Sequence, residues 1–137
     1  MDKAALELVR DWLTRADHDL RSARLLAGAA DPLLDTAIYH CQQAAEKAIK
    51  AWLQSANALI PRTHDIEDLV EQASDTNPDF KQFAKVAAVL TPYASAFRYP
   101  GGFEEPMPSQ DEFDEALKHA QTIYNFVLNL LPKKARP

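Results

Sequence analysis

From Leu33 to Ala56 the chain holds no glycine and no proline, and its apolar residues recur at three- and four-residue steps. That run, LLDTAIYHCQQAAEKAIKAWLQSA, reads as one long helix. Leu34, Ile38, Cys41, Ala45, Ala48, Ile49 and Trp52 share a face. Asp31 is placed to cap the start, with Pro32 at the first helical position. His40, Gln43, Lys47, Lys50 and Gln54 fall on the opposite face. Gln42 departs from this division, since its phase puts it inside the apolar arc beside Ile38 and Ile49. A buried amide must find partners or it destabilises. Two readings of Gln42 stand. Either it sits at the core edge and bonds a neighbouring backbone, or it makes a polar contact across a helix–helix or subunit seam.

The remaining segments follow the same period. Residues about 3–27 predict a first helix with Leu6, Val9, Leu13, Ala16, Leu20, Ala23 and Ala27 as its stripe. Gly28 is expected to end it through a left-handed residue. Pro61 interrupts the pattern after the long helix, and Thr63 is the expected cap of a short third helix over about 64–74. Asn77 and Pro78 open a fourth, striped by Phe80, Phe83, Ala87, Leu90, Ala94 and Phe97, with a kink expected at Pro92. RYPGGFEEPMP, about 98–108, is the longest irregular stretch. Ser109 and Glu112 then form a capping box for a last helix to about Leu131, and KKARP is expected to fray.

Five amphipathic helices without a strand pattern predict an all-α, up-and-down bundle of four to five helices. The length suits one domain over 1–137, with an ordered core of about 5–130 and a tail over 131–137. If the helices alternate, the end of the long helix, the 57–64 link and the 98–108 loop share one end of the bundle. Lys50, Gln54, His64, Arg98 and Tyr99 are then candidates to meet there.

Composition narrows the function. A net charge of -5 excludes nucleic-acid binding by bulk charge, so such contact needs a local basic patch. The single cysteine, Cys41, excludes an intrachain disulfide and fits a small core residue. No apolar run reaches membrane-spanning length, and the charged start MDKAALELVRDW predicts a cytoplasmic protein. The four histidines, His18, His40, His64 and His119, have no metal-ligand spacing, and no glycine-rich phosphate loop is present; neither metal nor cofactor is expected. His64 is either a structural residue at a helix start or an imidazole able to hold phosphate or move protons. Arg98 either satisfies the last carbonyls of its helix or presents a planar fork to a phosphate or a carboxylate. Tyr99 either stacks on a base or packs into the end of the bundle.

Three segments in this order, QQAAEKAIKAWL at 42–53, PRTHDIEDLV at 61–70 and FRYPGG at 97–102, resemble the HEPN domain. The opening WLTRADHDLRSARLL at 12–26 fits as well, so the resemblance spans about 5–130. It implies an all-α bundle that dimerises and a nucleotide-associated role. It also implies a separately encoded nucleotidyltransferase partner in a toxin–antitoxin arrangement, and in many members a metal-independent ribonuclease. The family's nuclease motif is an Arg followed, after four to six residues, by a His. Carried onto this chain the Arg is Arg98, and the His positions hold Phe103, Glu104 and Glu105. The nuclease motif is therefore not intact. Nearby Glu104, Glu105, Asp111 and Glu112 also oppose RNA phosphate.

The expectation is thus a HEPN module with Arg98, Tyr99, His64 and Lys50 as ligand-binding residues and Gln42 at an interface. It forms a homodimer, pairs with a nucleotidyltransferase and has nucleotide or RNA as possible ligand. Two alternatives stand beside it: a ribonuclease toxin using Arg98 and His64, and a dimerisation scaffold without a ligand.

Overall fold

The computed structural model describes residues 1–101 and 107–137. Its α-helices are α1 (Lys3–Ala27), α2 (Leu34–Ser55), α3 (Ile66–Thr76), α4 (Ala84–Leu90) and α5 (Gln110–Leu130). Short 3-10 turns cover Pro78–Phe83, Thr91–Ala94 and Lys133–Ala135, and no strand occurs among the described residues. The fold is an all-α bundle, as the periodicity implies. No helix among the described residues is long and apolar enough to cross a membrane.

Helix α2 is the axis of the bundle. It packs against α1 and α5, with α3 and the 91–94 turn on its remaining side. Nearly every residue from Ala37 to Leu53 is buried in consequence. The solvent face expected for Gln43 and Lys50 is therefore absent, and both are inside. Helix α1 runs antiparallel to α2, with Asp19 beside His40 and Lys47 and the Trp12 ring 5.8 Å from the Lys50 ammonium. Leu13, Leu20, Ile38, Ile49, Leu53, Leu69, Phe80 and Ile123 are fully enclosed, each such side chain contributing about 2 kcal/mol of burial. Phe126 of α5 meets Phe80 and Phe83 edge-on at 5.1 and 5.0 Å between ring centres.

The helix ends depart from several sequence expectations. Asp2 caps α1 by accepting from the Ala5 amide at 2.7 Å. Gly28 ends α1 with φ −87°, so its backbone is right-handed rather than left-handed. Helix α2 starts after Leu33 with no side-chain cap, and Asp31 and Pro32 stay outside it. Asp65 rather than Thr63 caps α3; Thr63 accepts from the Asp65 amide and holds the approach to the helix. The expected single fourth helix is three pieces, because Pro78 and Pro92 each lack a donor and the chain tightens into 3-10 turns around them. The Ser109–Glu112 capping box forms as expected. Residues beyond Pro132, expected to fray, fold into a turn with Ala135 buried, while Arg10 donates to the Lys134 carbonyl.

The end of α2 decides where the candidate residues go. Asn57 takes a left-handed φ of 56°, and the amides of Asn57 and Ala58 bond back to the carbonyls of Gln54 and Leu53. This paired closure reverses the chain. The link then returns alongside α2 instead of leaving the bundle end.

Candidate functional site

Two polar clusters sit on α2. The lower one lies under the returning link. Glu46 is buried and takes Lys50 Nζ at 3.1 Å and His64 Nδ1 at 2.8 Å, with the Gln42 and Gln43 amides at 3.4 Å. Lys50 also donates to the Thr63 carbonyl at 3.0 Å, and Gln42 to the His64 carbonyl at 2.8 Å. Gln43 in turn donates to the Gln42 oxygen at 2.7 Å. A carboxylate, an ammonium and two amides out of water need such mutual pairing. No buried side-chain nitrogen or oxygen among the described residues lacks a partner.

This arrangement bears on two expectations. Lys50 is buried and bonds Glu46 and the Thr63 carbonyl, so it fastens the link to the helix. Gln42 has no exposed surface and bonds the backbone of the link within its own chain, the first of its two readings.

The upper cluster is open. Arg98 lies over the Tyr39 ring, its guanidinium carbon 4.2 Å from the ring centre, and 5.7 Å from the exposed Tyr99 ring. Its guanidinium donates to the Ala94 carbonyl at 3.1 Å, and no carboxylate pairs with it among the described residues. The backbone turn that presents it includes Phe97 at φ 66°, an uncommon conformation for a large side chain. Asp35, Thr36, Tyr39, His40 and Arg98 line an open cleft of about 380 Å³. Behind it, Asp19 of α1 is almost buried and is bonded by His40 Nδ1 at 2.8 Å and Lys47 Nζ at 2.6 Å.

Arg98 therefore meets α2 at Tyr39, whereas Lys50 lies eleven residues further along the same helix, about 16 Å of rise. The expected gathering of Lys50, Gln54, His64, Arg98 and Tyr99 at one end does not form. Arg98 and Tyr99 stay together. His64 bonds Glu46 and is not among the residues lining the cleft. The histidine that joins Arg98 is His40, which its helical phase had assigned to the outer face of α2. A sequence signal existed in the acid–base pattern of Asp19, His40 and Lys47, but only the antiparallel packing of α1 on α2 brings the three together. Positions Phe103, Glu104 and Glu105, where the family's motif would carry its histidine, lie outside the described residues.

Cys41 is buried in the core, and burial pushes its thiol up to about 12. It stays protonated near neutral pH, which removes it as a nucleophile. Among the described residues no cluster of histidine, cysteine and acidic side chains is able to hold a metal ion.

Comparisons with known proteins agree with the helical architecture. The family model described as the HEPN domain matches residues 9–130. The crystal structure of TT1696 from Thermus thermophilus is similar at 32% identity and a TM-score of 0.73, covering 90% of this chain and 98% of that one. The crystal structure of ST0689, an archaeal HEPN homologue, is similar at 28% identity and a TM-score of 0.72, covering 89% and 96%. No curated protein matches the chain.

Proposed function

This chain belongs to the HEPN domain family, and from that premise we propose that it is a nucleotide-associated module whose Arg98 cleft holds a phosphate group. The observation that carries this is an arginine without a carboxylate partner among the described residues, set over an aromatic ring and lining an open cleft. A guanidinium held against a ring by a cation–π contact loses less freedom when it binds two phosphate oxygens. Tyr99, exposed beside it, offers a face on which a base can stack. The family's Arg–His nuclease motif is not intact in the sequence, which favours holding a nucleotide over cutting a long strand.

The module acts as a homodimer beside a separately encoded nucleotidyltransferase, in a toxin–antitoxin type arrangement. Exposed Leu8, Leu25, Leu33, Leu59 and Met107 supply apolar surface for such contacts. Light scattering at micromolar protein is expected to give a dimer mass, and co-expression with a neighbouring nucleotidyltransferase a stable complex.

Titration with AMP and ATP tests the cleft itself. Arg98→Ala is expected to weaken binding at least tenfold without changing the melting temperature, because Arg98 lies outside the core. Equal affinity in the two proteins leaves a helical scaffold without a ligand as the better reading.

A further inference from the structure

We propose that a groove on the outer side of the bundle, between α1, α5 and the 133–135 turn, binds a small sugar phosphate. The groove shares no lining residue with the Arg98 cleft and is independent of what that cleft holds.

The groove is assembled from three segments. Thr14, Asp17, His18 and Arg21 recur at three- and four-residue steps, so they share one face of α1. Tyr124 and Leu128 meet them from α5, one turn apart. Two contacts bracket the groove. Arg10 donates to the Lys134 carbonyl at one end, and Arg24 donates to the Gln121 side chain at the other. Beyond α5 the chain folds back and adds Arg136, whose guanidinium donates to the Leu128 carbonyl at 3.2 Å. The open volume is about 420 Å³.

Tyr124 marks the groove as a site. Only 6% of its surface is exposed, yet its hydroxyl makes no hydrogen bond among the described residues. No occluded side-chain oxygen among those residues lacks a partner, so this hydroxyl is not occluded. It opens into the groove that Tyr124 lines. Burial, and then Asp17, hold its proton to about 12, so near neutral pH the phenol is a donor. The Arg136 charge acts on the same group in the opposite direction, which places it near the hydroxyl.

The donors select the ligand. A phosphate monoester has three terminal oxygens, and three donor groups line the groove for them: the Arg21 and Arg136 guanidinia and the Tyr124 hydroxyl. A carboxylate has one oxygen too few. Arg21 lies 3.7 Å from Asp17 in a loose, exposed pair that leaves most of its donors free. Arg136 has no carboxylate partner among the described residues. Asp17 also lines the groove and repels a bare phosphate, but it accepts readily from a hydroxyl. The fitting molecule therefore carries hydroxyls beside its phosphate, as a sugar phosphate does. Thr14 and His18 offer it further polar contacts.

Calorimetric titration of the full chain with ribose 5-phosphate, inorganic phosphate and ribose tests this. Ribose 5-phosphate is expected to bind about tenfold more tightly than inorganic phosphate, and ribose not to bind. Arg21→Gln and Arg136→Gln should each weaken ribose 5-phosphate about tenfold. Both side chains are exposed, so these variants fold. Tyr124→Phe keeps the ring and should weaken binding about fivefold at an unchanged melting temperature. Arg98→Ala should leave the affinity as it is. No binding of ribose 5-phosphate overturns the proposal. Equal affinity for ribose 5-phosphate and inorganic phosphate also overturns it, since the groove then takes an adventitious ion only. Affinity lost in Arg98→Ala but kept in Arg136→Gln overturns it as well, and assigns the phosphate to the α2 cleft.

Discussion

Gln42 Nε2 donates to the backbone carbonyl of His64 at 2.8 Å, so the most deeply buried amide of the long helix fastens a loop 22 residues away. The same side chain accepts from the Gln43 amide at 2.7 Å. It belongs to a chain of bonds that ends on the Glu46 carboxylate.

Replacing Gln42 by Leu roughly keeps the volume and removes its three bonds, to the His64 carbonyl, to Glu46 and from Gln43. The His64 carbonyl and the Gln43 amide then lose a partner, at about 1–3 kcal/mol for a group left unsatisfied. The expected outcome is a lower urea midpoint with an unchanged slope and an unchanged mass by light scattering. A loss of dimer at retained stability would instead mean that the residue acts between subunits.

Glu46 is the more severe position. It faces the buried Lys50 ammonium at 3.1 Å, and Glu46→Ala strands that charge. Removing one member of a buried pair costs about 3–5 kcal/mol. Glu46→Ala should therefore lose a large part of the folding free energy, and the double change Glu46→Met with Lys50→Met should recover most of it. Urea denaturation of the three proteins checks this. A double variant no better than the single one would show that the cluster holds the link by geometry rather than by charge balance.

The sequence made the helical pattern legible because apolar spacing depends only on helix geometry. The stripe of α1 and the Ser109–Glu112 box came directly from it. What stayed hidden depended on packing from outside the helix. A period of 3.6 assigns Gln43 and Lys50 a face but does not say that a returning link covers that face. Asn57 carried the missing information, since its left-handed turn sends the link back along α2, yet asparagine occurs in many other settings. The candidate site was legible in part. Arg98 and Tyr99 were visible from the loop motif, while His40 entered only when α1 placed Asp19 against it.

The Cys41 thiol should be inert in the folded protein. It is fully buried, and burial holds its proton to about 12. Thiol-reactive dye at pH 8 is expected to label native protein at least a hundredfold more slowly than protein in 6 M guanidinium. Rapid native labelling would mean that α2 opens locally far below the global unfolding free energy.

Alkaline stability carries the last prediction. Burial raises Cys41 from its ordinary 9.0 to about 12 and is the main cause raising Tyr124 from 10.0 to about 12. Asp17 adds to the rise at Tyr124, while Arg136 opposes it. In the unfolded chain both groups lose their protons near the ordinary values, while the folded chain keeps them. The folded state then binds more protons than the unfolded state, so stability falls as pH rises. These contributions are intact below pH 9, begin to decline there for Cys41 and near pH 10 for Tyr124, and are lost as pH approaches 12. Within each window the slope is about 1.4 kcal/mol per pH unit for each group. Urea midpoints should change little from pH 7.5 to 8.5 on this account and drop steeply from pH 9.5 to 11. Tyr124→Phe with Cys41→Ala should flatten the drop, after an initial loss of about 1 kcal/mol at neutral pH from the smaller residue in the core. An equally steep alkaline decline in the double variant would place the titrating groups elsewhere, with Tyr93 next, since burial and then Glu112 and Glu115 raise it in the same direction.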